Sequence, residues 1–275
     1  MEPVLVIKDI DKSFVGVHAV DHVSFECYPG TVHVLQGENG AGKSTMLKML
    51  SGMYHPDAGE IFLKGKPVRF RHPKDARKQG IAMVYQELSV LPELTVAQNI
   101  FLNQEEKTGS GFFLVENRMV DEAKRLADKY GIEIAPYART GDLPIASQQM
   151  VEILKALSVD PEILILDEPT STLTVTEVEK LYSIVQEVVG VGKTVLFISH
   201  RMEEVFKFGD RATVLKDGKL VDTVKLSDVN EAEIIQMMVG RELKDIFPPK
   251  LNAQPGDTVL KVKNLGDGHR FFNIS

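Results

Sequence analysis

The sequence lacks several features that would mark a secreted or membrane-spanning protein. It has one cysteine in 275 residues, so it holds no internal disulfide framework, and a reducing compartment fits. No apolar run approaches the about 18 residues that a membrane span needs. The start, MEPVLVIKDID, has neither a basic segment nor a long apolar core, so we expect no secretory signal there. These absences predict a soluble, cytoplasmic chain, for which a partner would have to supply any membrane spans.

An excess of positive charge is also missing. Lysine and arginine number 32 against 39 acidic residues, which gives a formal net charge of -7 at pH 7. A surface of this sign argues against general binding of nucleic acid. The hydrophobic share of 43% and the charged share of 26% are those of an ordinary globular protein. The one cysteine, Cys27, lies in the alternating run HVSFECY and is predicted to be a buried core thiol.

Short apolar runs alternate with helical patterns along most of the chain. Strands are predicted at residues 4–7, 17–25, 31–35, 81–85, 163–166 and 194–199. The last three runs are continuously apolar, which is typical of parallel strands buried on both faces. Strands that alternate with helices predict a three-layer α/β core, to which a β-rich start and a helical middle are added.

The helical predictions concern the middle and the end of this alternation. Residues 88–143 are mostly helical in pattern, with Gly131 as a stop after VDEAKRLADKY. In the following segment, 141–157, apolar residues recur at helical spacing, and Glu152 falls off that stripe. RATVLKD and GKLVDTV meet at a predicted hairpin turn, Asp217-Gly218, and a further helix is predicted from about Glu231.

A glycine-rich segment follows the predicted strand at 31–35. GENGAGKST matches the pattern G-x-x-x-x-G-K-[ST], with a strand before it and a helix from about Lys43. Its glycines permit a tight turn whose backbone N–H groups converge on phosphate oxygens, and the helix N-terminus favours an anion. We therefore predict a nucleoside triphosphate site, where Lys43 faces the β- and γ-phosphates and Ser44 offers a hydroxyl to Mg²⁺. The predicted nucleotide-binding residues here are Gly37, Glu38, Asn39, Gly40, Ala41, Gly42, Lys43, Ser44 and Thr45.

Four further residues could complete the chemistry of such a site. ILILDEPTSTLT ends a predicted buried strand in Asp167, which could hold Mg²⁺ through water, and Glu168, which could polarise a water for attack on the γ-phosphate. Gln86 follows the run IAMVY and could contact the metal or that water, although a lone glutamine is more often a surface residue. His200 ends TVLFISH and could contact the γ-phosphate, although a lone histidine at a strand end is more often structural.

Taken together and in this order, these segments resemble the ATP-binding subunit of an ABC transporter, over about residues 4–240. The resemblance implies an α/β fold with a P-loop NTPase (RecA-like) core, an N-terminal antiparallel β-subdomain and an inserted ABC α-helical subdomain at about 88–157. It also implies site roles. Phe14 would stack on adenine and Gln86 would contact Mg²⁺, while Glu168 would be the catalytic base of ATP hydrolysis and His200 the switch histidine.

A narrower resemblance concerns the amino-acid sequences of four segments. GENGAGKSTMLKMLSG, YQELSVLPELTVAQNIFL, DEPTSTLT and ISHRMEEVF are similar to the N-terminal half of the duplicated ATPases of monosaccharide importers. This resemblance implies that ATP is hydrolysed between two nucleotide-binding domains, in the same full-length chain or in a homodimer. It also implies integral membrane permease subunits as partners, a periplasmic or extracellular sugar-binding protein as an indirect one, and a place at the cytoplasmic face of the membrane.

The end of the chain fits a duplication. Residues 1–245 would form one nucleotide-binding domain, and 246–258, which is rich in proline and polar residues, reads as a linker. VLKVKNL from Val259 repeats the pattern of VLVIKDI from Val4, and FNIS at the end is similar to the HVSF near residue 23. We therefore predict that 259–275 begins a truncated second nucleotide-binding domain.

Other classes of nucleotide-using protein fit the motifs of this chain less well or equally well. A GTPase would need an N-K-x-D motif, and no asparagine of this chain is followed by lysine. A small-molecule kinase shares the phosphate loop but has no use for the other ordered motifs, and a sensor that does not hydrolyse is disfavoured by Glu168. A soluble ABC-type ATPase acting in translation or DNA repair keeps all the motifs, so it stays the alternative.

One motif that the resemblance leads us to expect is degenerate. The ABC signature, usually L-S-G-G-Q, donates backbone N–H groups to the γ-phosphate bound by the opposite domain. Here the segment Leu143–Ser147 reads LPIAS, so Pro144 offers no hydroxyl and no N–H, and Ala146 places a Cβ where the backbone should approach phosphate. We hypothesise an asymmetric pair of sites, of which the one completed by this segment is impaired.

Overall fold

The computed structural model describes residues 1–102, 104, 116–240 and 260–274. Its contacts divide the chain into two units, Met1–Arg241 and Glu242–Ser275. The strands are β1 Leu5–Phe14, β2 Val17–Cys27, β3 Val32–Gln36, β4 Ala58–Leu63, β5 Lys66–Val68, β6 Ile81–Val84, β7 Ile163–Asp167, β8 Thr194–Ile198, β9 Arg211–Lys216 and β10 Lys219–Lys225. The helices are α1 Lys43–Leu50, α2 Pro73–Lys78, α3 Val96–Ile100, α4 Glu116–Lys129, α5 Ile145–Leu157, α6 Val175–Gly190, α7 Met202–Phe208 and α8 Glu231–Val239.

The larger sheet has six strands in the order β10-β9-β3-β8-β7-β6. Strands β9, β3, β8, β7 and β6 are mutually parallel, and β10 closes the edge as an antiparallel hairpin partner of β9. Every residue of β7 and β8 is buried, and so is β6 except for Met83, as the apolar runs predict for strands covered on both faces; β3 is also fully buried. Because parallel strands end at one edge, the segments after β3, β6, β7 and β8 lie together there.

The smaller sheet is antiparallel, with the order β2-β1-β4-β5. Its inner face packs on a core that also takes in α1 and one side of the large sheet. Cys27 is fully buried in that core, as predicted, and burial raises the pKa of its thiol. The β-rich start is thus confirmed, although β1 runs to Phe14, well beyond the short run from Val4 that its apolar pattern predicts.

The helices between β6 and β7 form the helical middle of the chain. Helix α3 packs against both α4 and α5, and Gly131, at φ +59°, ends α4 as expected. Helix α5 is buried almost all round, and even Glu152, off the apolar stripe, is only 4% exposed. The part of 88–143 before α3 forms turns and no helix. The boundary of a helical subdomain at 88–157 stays a prediction.

Several elements follow or extend the sequence predictions. Asp217 and Gly218 both have positive φ, +49° and +81°, the conformation of the tight turn expected between β9 and β10. Helix α8 begins at Glu231, as predicted. Strands β4 and β5 and helices α2 and α6 were not anticipated, although in α6 buried apolar residues recur at helical spacing, at 181, 184, 185 and 188.

The second unit is described only over residues 260–274. There Leu265 and Ile274 form an isolated antiparallel bridge. The predicted linker, 246–258, lies outside the described residues, so the start of a second domain stays a prediction. Among the helices in the described parts of the chain, none combines the length and the apolar character needed to cross a membrane.

Candidate functional site

The glycine-rich segment forms a closed turn between β3 and α1. Gly37 has φ +151°, and a Cβ there would lie 2.3 Å from the carbonyl oxygen of Leu215. Gly42, the residue before α1, has φ +97°, and its Cβ would lie 2.4 Å from the carbonyl oxygen of Ala19. Both positions therefore require glycine, for backbone conformation and for space.

Lys43 is the charged residue of this turn. Its side chain is buried, and Nζ donates to the carbonyl oxygens of Gly37 at 2.7 Å and Glu38 at 3.0 Å. Desolvation lowers the pKa of the Lys43 ammonium, while the charges of Glu168 and Asp167 act in the opposite direction. The Lys43 ammonium is thus bound by backbone carbonyl oxygens of its own loop. An anion could replace these oxygens as its partner.

Asp167 is the last residue of β7 and is only 7% exposed. Burial raises the pKa of its carboxyl from an ordinary 3.8 to about 6, and the neighbouring Glu168 charge adds to that effect. Ser44, Gln86 and Asp167 line one open cleft of about 580 Å³, together with Lys48. The three residues predicted to hold Mg²⁺ are therefore brought together.

Glu168 lies at the turn that leaves β7 and has a left-handed backbone, φ +48°. Such a conformation is uncommon outside glycine, and strained residues of this kind are frequent at functional sites. One oxygen of its carboxylate, Oε2, accepts a hydrogen bond from Gln86 Nε2 at 3.1 Å, and the other, Oε1, lies 2.5 Å from His200 Nε2. Three residues predicted from separate strand ends thus meet at one carboxylate.

Phe14 ends β1 and is 40% exposed. Its ring packs edge to face on Tyr54, with centroids 5.2 Å apart, and Lys12 Nζ lies 5.4 Å from its centroid. The next strand, β2, touches the phosphate turn where Ala19 approaches Gly42. An exposed aromatic ring on this hairpin is compatible with stacking on a base, and that role stays a prediction.

Four polar residues around the site were missed by the sequence interpretation. Gln36 ends β3, and its Nε2 donates to the carbonyl oxygen of Ser199 at 2.8 Å. Thr170 and Ser199 both donate to the buried carboxylate of Glu204. The available signal for Gln36 was its position directly after the predicted strand at 31–35. For Glu204 no signal exists, since carboxylates in the first turn of a helix are common.

The degenerate segment Leu143–Ser147 leads into α5. Pro144 is the residue before the helix, with φ -53° and ψ 149°, and its side chain makes no cap hydrogen bond. Gln148 turns back to donate from Nε2 to the carbonyl oxygen of Leu143 at 2.9 Å. The isoleucine that opens the helix, Ile145, is 58% exposed. This helix start presents apolar surface and a proline where a phosphate-binding loop would present glycines.

Comparison with known proteins relates the chain to one family. The family model described as ABC transporter matches residues 20–171. A ribose import ATP-binding protein of Rubrobacter xylanophilus is 43% identical over all of this chain and 55% of its own length. A putative ribose/galactose/methyl galactoside import ATP-binding protein of Agrobacterium fabrum is 46% identical over all of this chain and 53% of its own length. The chain spans about half the length of these relatives.

Solved structures resemble the chain in fold. The ADP conformation of an ATP-binding cassette of an ABC transporter has a TM-score of 0.76 and 24% identity, and covers 88% of this chain and all of its own. A dimeric ATP-binding cassette in a post-hydrolysis state, bound to ADP and Pi, has a TM-score of 0.69 and 24% identity, and covers 81% of this chain and 98% of its own. These likenesses confirm the predicted P-loop α/β fold with its antiparallel β-subdomain.

Proposed function

This chain belongs to the ABC transporter family, and on that premise we propose that it binds ATP and hydrolyses it to drive an importer. The observation that best supports hydrolysis is the meeting of Gln86 and His200 on the two oxygens of Glu168. These three side chains come from three strand ends beside a phosphate turn that carries Lys43. A protein that only senses a nucleotide has no need of a carboxylate held in this way.

Lys43 would be the main charge on the nucleotide. In our proposal its ammonium leaves the carbonyl oxygens of Gly37 and Glu38 and faces the β- and γ-phosphates, while the backbone N–H groups of the turn and of the start of α1 bind phosphate oxygens. The residues from Gly37 to Thr45 would surround the phosphates. Phe14 would stack on the adenine.

Mg²⁺ fits the donor set of the cleft beside this turn. Ser44, Gln86 and Asp167 offer a hydroxyl, an amide oxygen and a carboxylate, the hard oxygen ligands that this ion prefers. When bound, the ion would neutralise part of the charge on the phosphates. A bound cation would also favour the ionised form of Asp167, whose pKa is raised in the metal-free chain.

Glu168 would be the general base. Its carboxylate would take a proton from the water that attacks the γ-phosphorus, so that the bond to the β-phosphate oxygen breaks and ADP leaves. Gln86 would orient the carboxylate and the water. His200 would bridge between the same carboxylate and the γ-phosphate, where it can stabilise the charge of the transferred group.

We further propose that the importer carries a monosaccharide of the ribose or galactose type. Support comes from the relatives, which are named as import ATP-binding proteins for ribose, galactose and methyl galactoside. Integral membrane permease subunits would be direct partners and a periplasmic or extracellular sugar-binding protein an indirect one, with this chain peripheral at the cytoplasmic face of the membrane. The same names make a soluble ABC-type ATPase of translation or DNA repair the weaker alternative.

The proposed organisation is a duplicated ATPase. Residues 1–245 would form one nucleotide-binding domain, 246–258 a linker, and 259–275 the start of the second domain. The relatives are about twice as long as this chain, which supports a longer full-length protein. The degenerate segment Leu143–Ser147 would face the nucleotide bound by the second domain, so that one of the two composite sites is impaired.

Replacement of Glu168 by Gln in the full-length protein tests the proposed chemistry. The amide keeps the shape and loses the base, so turnover should fall by about 100-fold or more while ATP still binds. Glu187→Gln, at an exposed position on α6, is the matched control and should hydrolyse at the normal rate. Substantial residual hydrolysis in Glu168→Gln would mean that another group is the base.

The transport proposal needs a separate test. The full-length protein would be purified with the permease and the binding protein encoded beside it and placed in lipid vesicles. Hydrolysis of ATP should rise when the binding protein is loaded with ribose or galactose, and labelled sugar should cross the membrane. Basal hydrolysis that no monosaccharide stimulates would contradict sugar import and leave the ATPase assignment intact.

A further inference from the structure

The turn that carries His200 is hydrogen-bonded to a buried carboxylate, that of Glu204. This turn, Ser199–Arg201, joins β8 to α7, and Glu204 lies in the first turn of α7 with only 5% of its surface exposed. Its Oε2 accepts hydrogen bonds from Ser199 Oγ at 2.5 Å and from Thr170 Oγ1 at 2.7 Å. One carboxylate oxygen thereby links the turn of His200 to the segment that follows Glu168.

The backbone on both sides of His200 is fixed by the same set of contacts. Ser199 Oγ, which donates to Glu204, also accepts from the backbone N–H of Arg201 at 3.1 Å. The carbonyl oxygen of Ser199 accepts from Gln36, the residue before the phosphate turn, at 2.8 Å. The carbonyl oxygen of Ile198 accepts from the backbone N–H of Glu168 at 3.0 Å. The backbone on both sides of His200 is therefore restrained by hydrogen bonds.

A simpler role for Glu204 would be to stabilise the start of α7 by its charge. Glu203, its neighbour, is exposed and already supplies a negative charge in that first turn. A carboxylate needed only for the helix dipole has no reason to be buried against two hydroxyl groups, because burial costs solvation. Arg201 Nη1 donates to Oε1 of Glu204 at 3.2 Å, yet the Arg201 side chain is 67% exposed, so that ion pair is weak.

We propose that Glu204 is a positioning residue for ATP hydrolysis, which holds His200 at the Glu168 carboxylate through the hydroxyls of Ser199 and Thr170. The inference rests on the proposed function for its catalytic consequence and on the described contacts for its geometry. Glu204 would act on the chemical step and not on binding, since it bonds directly to the turn of His200 and to the segment after Glu168, and reaches the phosphate turn only indirectly, through Ser199 and Gln36. Its loss should lower kcat and leave KM for ATP nearly unchanged.

The first test compares substitutions at Glu204 in the full-length protein. Glu204→Met keeps the length of the side chain but accepts no hydrogen bond from the two hydroxyls, so kcat should fall about tenfold. Glu204→Gln keeps one oxygen that can accept from both hydroxyls, and its kcat should stay within about twofold of normal. Glu203→Gln, on the same helical turn, is the control for lost charge. Equal losses in Glu204→Gln and Glu204→Met, or none in either, would overturn the proposal.

A second pair of variants avoids the risk that Glu204→Met fails to fold. Thr170→Val removes one hydroxyl from Glu204, and Thr194→Val removes a buried hydroxyl that donates to the carbonyl oxygen of Tyr28 at the other end of β8. Only Thr170→Val should lower kcat, by about threefold or more, because only that hydroxyl contacts Glu204. The loss of a buried hydroxyl at either place should cost similar stability, so Thr194→Val is the control for that loss. Equal kcat losses in the two variants would mean that Glu204 has only a structural role.

Two readouts separate positioning from general damage and from failure of the proposed function. If Glu204 acts through His200, Glu204→Met should lower kcat no further in a His200→Ala background, whereas independent roles would give additive losses. The imidazole NMR signals of His200, assigned from His200→Ala, should shift in nucleotide-free Glu204→Met and not in Glu203→Gln. Shifted signals in a protein that hydrolyses no ATP would overturn the proposed function alone. Unshifted signals with normal kcat in an active enzyme would overturn the role of Glu204.

Discussion

Two loops of this chain lead into buried helices, and they differ in what they offer an anion. The phosphate turn before α1 has glycines at φ +151° and +97° and a buried lysine that spans the turn. The segment before α5 has Pro144 at the entry, an exposed isoleucine after it and Ala146 in the first turn. Both helices are core elements. The helix start that resembles a phosphate site only in position has lost the residues that bind phosphate.

The comparison shows that a helix N-terminus is a weak anion site by itself. The dipole and the free N–H groups of the first helical turn are common to both helix starts, so they cannot make the difference. The phosphate turn has two further features. Its backbone conformation is accessible only to glycine and lets N–H groups converge, and the ammonium of its lysine is already desolvated. The predictions below test these additions one at a time.

Loss of the charge should have the largest effect. Lys43→Ala in the full-length protein should weaken ATP binding on the order of 10³-fold, because a buried ammonium facing two phosphates has no replacement in the turn. Binding of a fluorescent ATP analogue measures the change. Lys124→Ala, on the exposed side of α4, is the control and should bind normally. Unchanged affinity in Lys43→Ala would remove the turn from the nucleotide site.

The next largest effect should come from a substitution at a position whose backbone conformation requires glycine. Gly42→Ala forces a Cβ to within 2.4 Å of the Ala19 carbonyl oxygen at φ +97°, and should cost about 3 kcal/mol of unfolding free energy. Gly40→Ala is the matched control, because its φ is +85° but a Cβ there meets nothing within 4 Å. It should cost about 1 kcal/mol. Urea unfolding of both variants separates crowding from backbone strain, and equal costs would mean that crowding is unimportant.

The core of the fold follows from local patterns in the sequence. Strands β7 and β8 are buried on both faces, so nearly all of their residues are apolar and the runs are easy to recognise. The turn at Asp217-Gly218 follows from its residue types in the same way. In the small sheet, β1 and β2 were predicted in part from their apolar patterns, whereas β4 and β5 were missed, and β5 is only three residues long.

Part of the candidate site was predictable from residue order, and part depends on tertiary contacts. Gln86, Glu168 and His200 each follow a predicted strand, and parallel strands bring their ends together. The burial of Glu204 and of Glu152 has no local signal. Each is a carboxylate on a helix, and the hydroxyl groups that donate to it lie at least five residues away, as Ser89 does from Glu152. Periodicity indicates which side of a helix is apolar and not which polar residue the fold will cover.

The pH dependence of stability tests the burial of Asp167. The pKa of its carboxyl is raised from 3.8 to about 6, so the folded chain gains stability from protonation that is complete below 3.8 and lost as pH rises through about 6. At pH 8 without metal, Asp167→Asn should therefore be more stable than the unchanged chain by about 2 kcal/mol, and the gain should shrink towards pH 4. Urea unfolding in a chelator measures it.

The control for that prediction is Asp128→Asn, at an exposed position near the end of α4. It removes a carboxylate of the same type without burial and should change the stability little at either pH. If Asp167→Asn is no more stable than Asp128→Asn at pH 8, the carboxyl of Asp167 is better solvated than its 7% exposure indicates.

The smallest expected effect concerns the degenerate loop. Pro144→Ser with Ala146→Gly restores a hydroxyl, an N–H and an open backbone at the start of α5, so the composite site facing the second domain should regain donors for a γ-phosphate. Because the other site already works in our proposal, total turnover of the full-length protein should rise by at most about twofold. Ile145→Val, in the same turn, is the control and adds no donor. Unchanged turnover would mean that the second site is limited elsewhere, whereas two equally active sites in the unaltered protein would contradict the asymmetry.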